Sequence, residues 1–192
     1  MTLSLAPALH EKLDAPTILA AMAAIISHPA RQRAFEHQDN LERARARAEL
    51  AARSARGPQL LLSCAATSEQ AAICRPDGRV VWRRRFADLP DVRVVTTLDA
   101  IDAVARHAIW IAGRARLEWG AEAATLRLVM DRRRRALHER LHRHAYGLGL
   151  SLEILADPAG NPAMAACADT TAVDWHPNLG LTDLQLARRI PT

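Results

Sequence analysis

The segment His138-Glu139-Arg140-Leu141-His142 is a literal H-E-x-x-H. On a helix its two imidazoles would stand on one face at i and i+4, where they can hold Zn²⁺ while Glu139 activates a bound water. That is the chemistry of a zinc-dependent hydrolase or protease. His144, His176, Glu153 and Asp157 are the side chains from which a third ligand would come. Arginine supplies a second kind of chemistry. The runs Arg83-Arg84-Arg85 and Arg132-Arg133-Arg134-Arg135, followed by Arg140 and Arg143, suit a polyanion, because a guanidinium pairs with two phosphate oxygens at once. A solvated basic face is the competing use of the same residues. Trp82 sits between Arg79 and the first arginine run, placed either for stacking on a base or for packing in the core.

Charge is uneven along the 192 residues, which hold 26 basic and 21 acidic groups for a net +5. The segment 59–150 has sixteen basic and ten acidic residues, whereas 151–192 has two and five. A nucleic-acid partner would therefore meet the middle of the chain. Apolar residues make up 49% but aromatic ones only 4%, so the core must rest on Leu, Val, Ile and close packing through Ala. No apolar run approaches the roughly 18 residues that span a bilayer, so no membrane partner is expected. Three widely spaced cysteines, Cys64, Cys74 and Cys167, suit neither a disulfide framework nor a cysteine zinc module. With no basic start before the first apolar stretch, they point to a cytoplasmic protein. There is no phosphate-cradling glycine loop and no Gly-x-Ser-x-Gly elbow.

The elements that must position these residues follow from pattern. Pro16 opens a short apolar helix that His28-Pro29 should break, and the Ala/Arg/Glu-rich stretch 31–56 reads as a second helix, exposed or used as a partner-binding arm. Gly57-Pro58 ends it and marks the best boundary. The expected organisation is a helical extension over 1–58, an α/β domain over 59–174 and a tail over 175–192. In the domain, 59–64 reads as a strand, and Pro76-Asp77-Gly78 turns a hairpin made by 70–74 and 79–83. Thr96 or Thr97 caps a long helix to Trp119 with apolar residues at a 3.6 period. A strand at 125–130, a helix at 133–146 stopped by Gly147 and Gly149, and an alternating strand at 150–155 come next. A helix over 163–173 and a weak one over 182–189 complete the pattern.

Three strands, then helix, strand, helix, strand, helix make a mixed five-stranded sheet with helices on its faces. Over residues 59–173 this order resembles the ribonuclease H-like family. The resemblance implies two divalent ions, Mg²⁺ or Mn²⁺, held by carboxylates and cutting phosphodiesters such as those of an RNA/DNA hybrid. By topological position it assigns the catalytic and metal-binding roles to Asp102 (or Asp99) in the first turns of the long helix, to Asp131 ending a strand, and to Asp169. Arg83 to Arg85 and Arg132 to Arg135 would then bind the strand. Asn161 loosely matches a family loop. The first strand departs from the family: Ser63 and Cys64 stand where a bridging Asp is needed, with Glu69 five residues on. A thiol is a poor ligand for Mg²⁺. Three readings therefore stand side by side: a metal-dependent nuclease, a zinc hydrolase using His138, Glu139 and His142, and a catalytically silent module that binds nucleic acid or a protein.

Overall fold

The structure, a computed structural model, describes residues 15–131, 135–175 and 184. Arg132, Arg133, Arg134, His176 and almost all of the tail, including the helix expected at 182–189, lie outside the described residues. The chain divides into two compact units, residues 1–45 and 46–192. In the first, the helix is held by side-chain pairs at i and i+4, Gln32 with Glu36, Gln38 with Glu42 and Asp39 with Arg43. Phe35 and Leu41 are exposed there.

Helix α1 spans Ala15–Ser54 without interruption, so the break expected at His28-Pro29 does not occur. Pro29 removes one backbone donor, but strong helix formers on both sides carry the helix through it. The last turns of α1 belong to the second unit, where Leu50 and Ser54 are buried. The Ser54 carbonyl accepts hydrogen bonds from Gln59 Nε2 at 3.1 Å and Thr125 Oγ1 at 3.3 Å. Gly57 ends the turn after α1 because a Cβ there would lie 2.1 Å from the Ala123 carbonyl oxygen.

Five strands form one mixed sheet, β1 (Gln59–Ala66), β2 (Gln70–Cys74), β3 (Val80–Arg85), β4 (Ala124–Met130) and β5 (Leu150–Ala156), in the order β3-β2-β1-β4-β5. β1, β2 and β3 pair antiparallel, whereas β4 runs parallel to both β1 and β5. The β2–β3 turn is the one expected: Gly78 takes φ +83° and donates its N–H to the Arg75 carbonyl at 3.0 Å. α2 (Thr97–Glu118) starts at an N-cap on Thr96, which shares a reciprocal capping box with Asp99. α3 spans Arg135–Gly147, and its buried stripe is Leu137, Leu141 and Ala145.

Both helices cover one face of the sheet and share a core with Leu60, Leu62, Ile73, Leu126 and Leu128. Leucine and isoleucine dominate it, with the Ala face of α2 letting the helix approach closely. The other face carries a smaller cluster of Ala65, Ala72, Cys74 and Ala163. It is covered by α4, which spans only Pro162–Ala166 instead of reaching Val173. Val173 instead bridges antiparallel to Arg83, whose side chain also donates to carbonyls of this segment. Among the described residues no helix is long and apolar enough to cross a membrane.

Candidate functional site

Topology brings the starts of α2 and α3 and the ends of β1, β3, β4 and β5 to one edge of the sheet, the place where open α/β sheets bind ligands. β1 and β4 are in parallel register as far as Ser63 beside Val129, so Cys64 and Ala65 lie next to Met130 and Asp131. Cys64 is buried, and burial first and the Asp131 charge second push its thiol far above the usual range. It is therefore a neutral thiol, which is a poor substitute for a bridging carboxylate. Asn161 is also buried. Its Nδ2 donates to the Cys64 carbonyl at 3.0 Å, and its Oδ1 accepts from Ala163 N at 3.0 Å, capping α4 and tying that loop to β1.

The three carboxylates assigned by resemblance stand in three different settings. Asp99 is the capping residue: its carboxylate accepts from Thr96 N and Thr96 Oγ1, each at 2.8 Å. Those bonds hold it below the usual carboxylate range. Asp102, one turn on, is only 9% exposed. Its Oδ2 lies 3.8 Å from Arg106 Nε and 3.7 Å from an Arg140 nitrogen, too long for a direct hydrogen bond, and its buried Oδ1 has no partner. Asp131 directly follows β4, close enough to Cys64 for its charge to act on the thiol. Asp169 lies beyond α4, where its Oδ2 is 2.7 Å from the Arg83 guanidinium and its Oδ1 accepts from Thr171 N at 2.9 Å. The Thr171 hydrogen bonds, followed by Arg83, keep Asp169 below the usual carboxylate range. Among the described residues no three of His, Cys, Asp and Glu gather as a metal ion would require. With Cys64 neutral and Asp169 paired to a guanidinium, the residues present do not fit the two-ion set.

Arg83 has a different task from the one its sequence suggests. It is buried, and its guanidinium donates to the carbonyls of Thr171 at 2.7 Å and Ala166 at 3.2 Å besides pairing with Asp169. It is a strut between β3 and the 166–173 segment and is not open to a phosphate. Arg84 pairs with Asp174 at 2.5 Å, and Arg85 is exposed. Arg135, Arg140 and Arg143 lie on α3, where Arg140 faces Asp102.

On the same helix His138 and His142 do share a face, with their Nε2 atoms 3.2 Å apart. Glu139, however, is ion-paired with Arg47, and that bond holds its carboxyl below the usual range. Burial, followed by the nearby His138, lowers the His142 pKa. The pair has two nitrogens and, among the described residues, no third ligand.

A cleft of about 560 Å³ lies beside this edge, between β3, the loop after it, α2 and His144 of α3. Its wall is a ladder of rings. Trp82 and His107 have centroids 4.4 Å apart, His107 stacks on Trp110 at 5.5 Å, and Trp110 meets Trp175 edge-on at 5.8 Å. Burial lowers the His107 pKa to about 4, so its imidazole is neutral, and its Nε2 is buried without a partner. Reading the sequence singled out Trp82 but missed His107. The available signal was its position three residues before Trp110 on the predicted long helix, which puts both rings on one face. No family model matches the chain, and no curated protein matches it. What the fold and the site define is an α/β protein with a mixed five-stranded sheet and a ring-lined cleft beside β3 and α2.

Proposed function

We propose that this chain is a nucleic-acid-binding protein with a ribonuclease H-like domain that grips the phosphate backbone without cutting it. The observation that carries the reading is the sheet: three antiparallel strands, then two helix crossovers to parallel strands in the order β3-β2-β1-β4-β5, with Asp131 directly after β4, the strand next to the central β1. Fold alone does not give function, and the grip is argued from α3. Arg135, Arg140 and Arg143 fall on a helix whose opposite stripe is buried, and all three are exposed, Arg140 while lying 3.7 Å from Asp102. Two features favour binding over cleavage: the neutral Cys64 on β1 and the Asp169–Arg83 pair.

The test is binding and cleavage of labelled RNA/DNA hybrid, duplex DNA and single strands, with Mg²⁺, Mn²⁺ and Zn²⁺ in separate reactions. Binding should weaken steeply with salt, and replacing Arg140 and Arg143 together by Ala should lower the magnitude of the log–log salt slope by about 2. Cleavage that disappears in Asp131→Asn would restore the nuclease reading, and zinc-dependent hydrolysis lost in His142→Ala would restore the zinc one. Absence of any salt-sensitive binding would refute the proposal.

A further inference from the structure

The cleft beside α2 is unlike the rest of the surface in three ways. About 560 Å³ is the size of a small-molecule site. Its wall is aromatic, with Trp82 buried and Trp110 partly exposed. Two of the side chains that line it, Asp102 and His107, each keep a buried polar atom unpaired. Unpaired buried polar atoms are rare in folded proteins, and finding two in one cleft calls for a ligand that pairs them.

Charge narrows the choice of ligand. A carboxylate ligand would meet three acids of the lining, Asp91, Asp99 and Asp102, against two arginines, Arg93 and Arg106. A compact cation would meet Arg106 and Arg140, which flank Asp102. What remains is a neutral flat ring whose edge presents N–H donors. Asp102 Oδ1 can accept one, and the neutral His107 can donate or accept at Nε2 according to its tautomer. We propose that this cleft binds a nucleobase, stacked against the Trp82–His107–Trp110 ladder with its amino edge toward Asp102. The two unpaired atoms are closed to solvent in the empty cleft. Reaching them requires a side-chain adjustment; beside Asp102, Arg106 and Arg140 each have more than half of their side chain exposed. The base can belong to a free nucleotide or be splayed from a bound single strand. Only the second source rests on the proposed function.

The experiment is a titration of the full chain followed by tryptophan fluorescence. Its ligands are adenosine, N6,N6-dimethyladenosine, a short adenosine-containing single strand and an abasic strand of equal length. Adenosine should quench saturably below about 1 mM, and the dimethyl analogue, which has lost the amino donors, should bind about tenfold more weakly. Asp102→Leu, which keeps the rough shape of the side chain and has no acceptor, should remove that discrimination. Trp110→Ala should weaken adenosine about tenfold, and if that variant does not fold, Asp102→Leu decides alone. A preference for the base-bearing strand over the abasic one identifies the strand as the source. Adenosine binding with no strand binding identifies the free nucleotide, and then the proposed function falls while the cleft stands. Equal, salt-sensitive binding of both strands with no response to adenosine overturns the cleft and leaves the proposed function intact.

Discussion

Acidification should remove much of the stability of this protein through one residue, His107. Its imidazole has an ordinary pKa of 6.5 in the unfolded chain and about 4 in the folded one, because burial between Trp82 and Trp110 disfavours the charged form. The folded state thus holds fewer protons than the unfolded state between these two values. The stability this burial contributes is full above pH 6.5 and is lost as the pH falls toward 4. At about 1.4 kcal/mol per pH unit, the loss is about 2 kcal/mol between about pH 7 and about pH 4.5 and about 3 kcal/mol in full. That is a large part of an ordinary domain stability of about 5–15 kcal/mol.

The assay is urea unfolding at a series of pH values, followed by fluorescence and circular dichroism, for the natural chain and for His107→Phe. Phenylalanine keeps a flat ring between the tryptophans and cannot titrate. Other groups at the cleft also respond to pH: Asp99 is held low by its cap, and the His144 pKa is lowered by burial, then by Arg106. Asp91, Arg93, Asp102 and Arg106 also line the cleft and are common to both proteins, so the difference between the two curves isolates His107. The natural chain should lose stability faster by about 2 kcal/mol over the range. Parallel curves for the two proteins would refute the claim that His107 is buried and neutral.

Arg83→Ala should cost about 2–4 kcal/mol in urea unfolding, since it deletes a buried guanidinium that holds two carbonyls and a carboxylate. The same change should leave the salt slope of nucleic-acid binding unaltered, unlike a change at Arg140 and Arg143. Thr96→Ala should lower stability by about 1 kcal/mol through loss of the α2 cap, readable as a shift in thermal midpoint. Gly57→Ala should destabilise by about 1–3 kcal/mol, because its Cβ would be driven into the Ala123 carbonyl, and chemical unfolding measures it.

What could be read in the sequence was local. Thr96 followed three residues later by Asp99, and Pro76-Asp77-Gly78 between two apolar runs, carry their own geometry, and α2 and the hairpin follow from them. The apolar period of α2 likewise predicts its buried face, including Ile101, Ala105 and Ala108. What could not be read depends on partners far along the chain. Arg83 looks like a member of a basic run until Asp169 and the carbonyls of Thr171 and Ala166 close around it. His107 gains its neutrality from Trp82 on β3 and Trp110 on its own helix, and only the folded sheet brings Trp82 there. Helix ends failed for a related reason. Pro29 is a strong local signal overridden by its neighbours, and 167–173 leaves the helix where Val173 pairs with the Arg83 backbone and the Thr171 carbonyl accepts from the Arg83 side chain.

The bridge between Val173 and Arg83 also covers part of an outer rim of the sheet. β3 is an outer strand of the sheet, and its free rim would offer N–H and C=O groups to any passing extended chain. Arg83 spends both backbone groups on Val173, at 2.9 and 3.0 Å, and its guanidinium clamps the segment in place. Cutting the chain after Ala168 would strip that rim bare, and such a shortened protein should stick to itself by adding strand to strand. The few residues after α4 thus cover the β3 rim at Arg83.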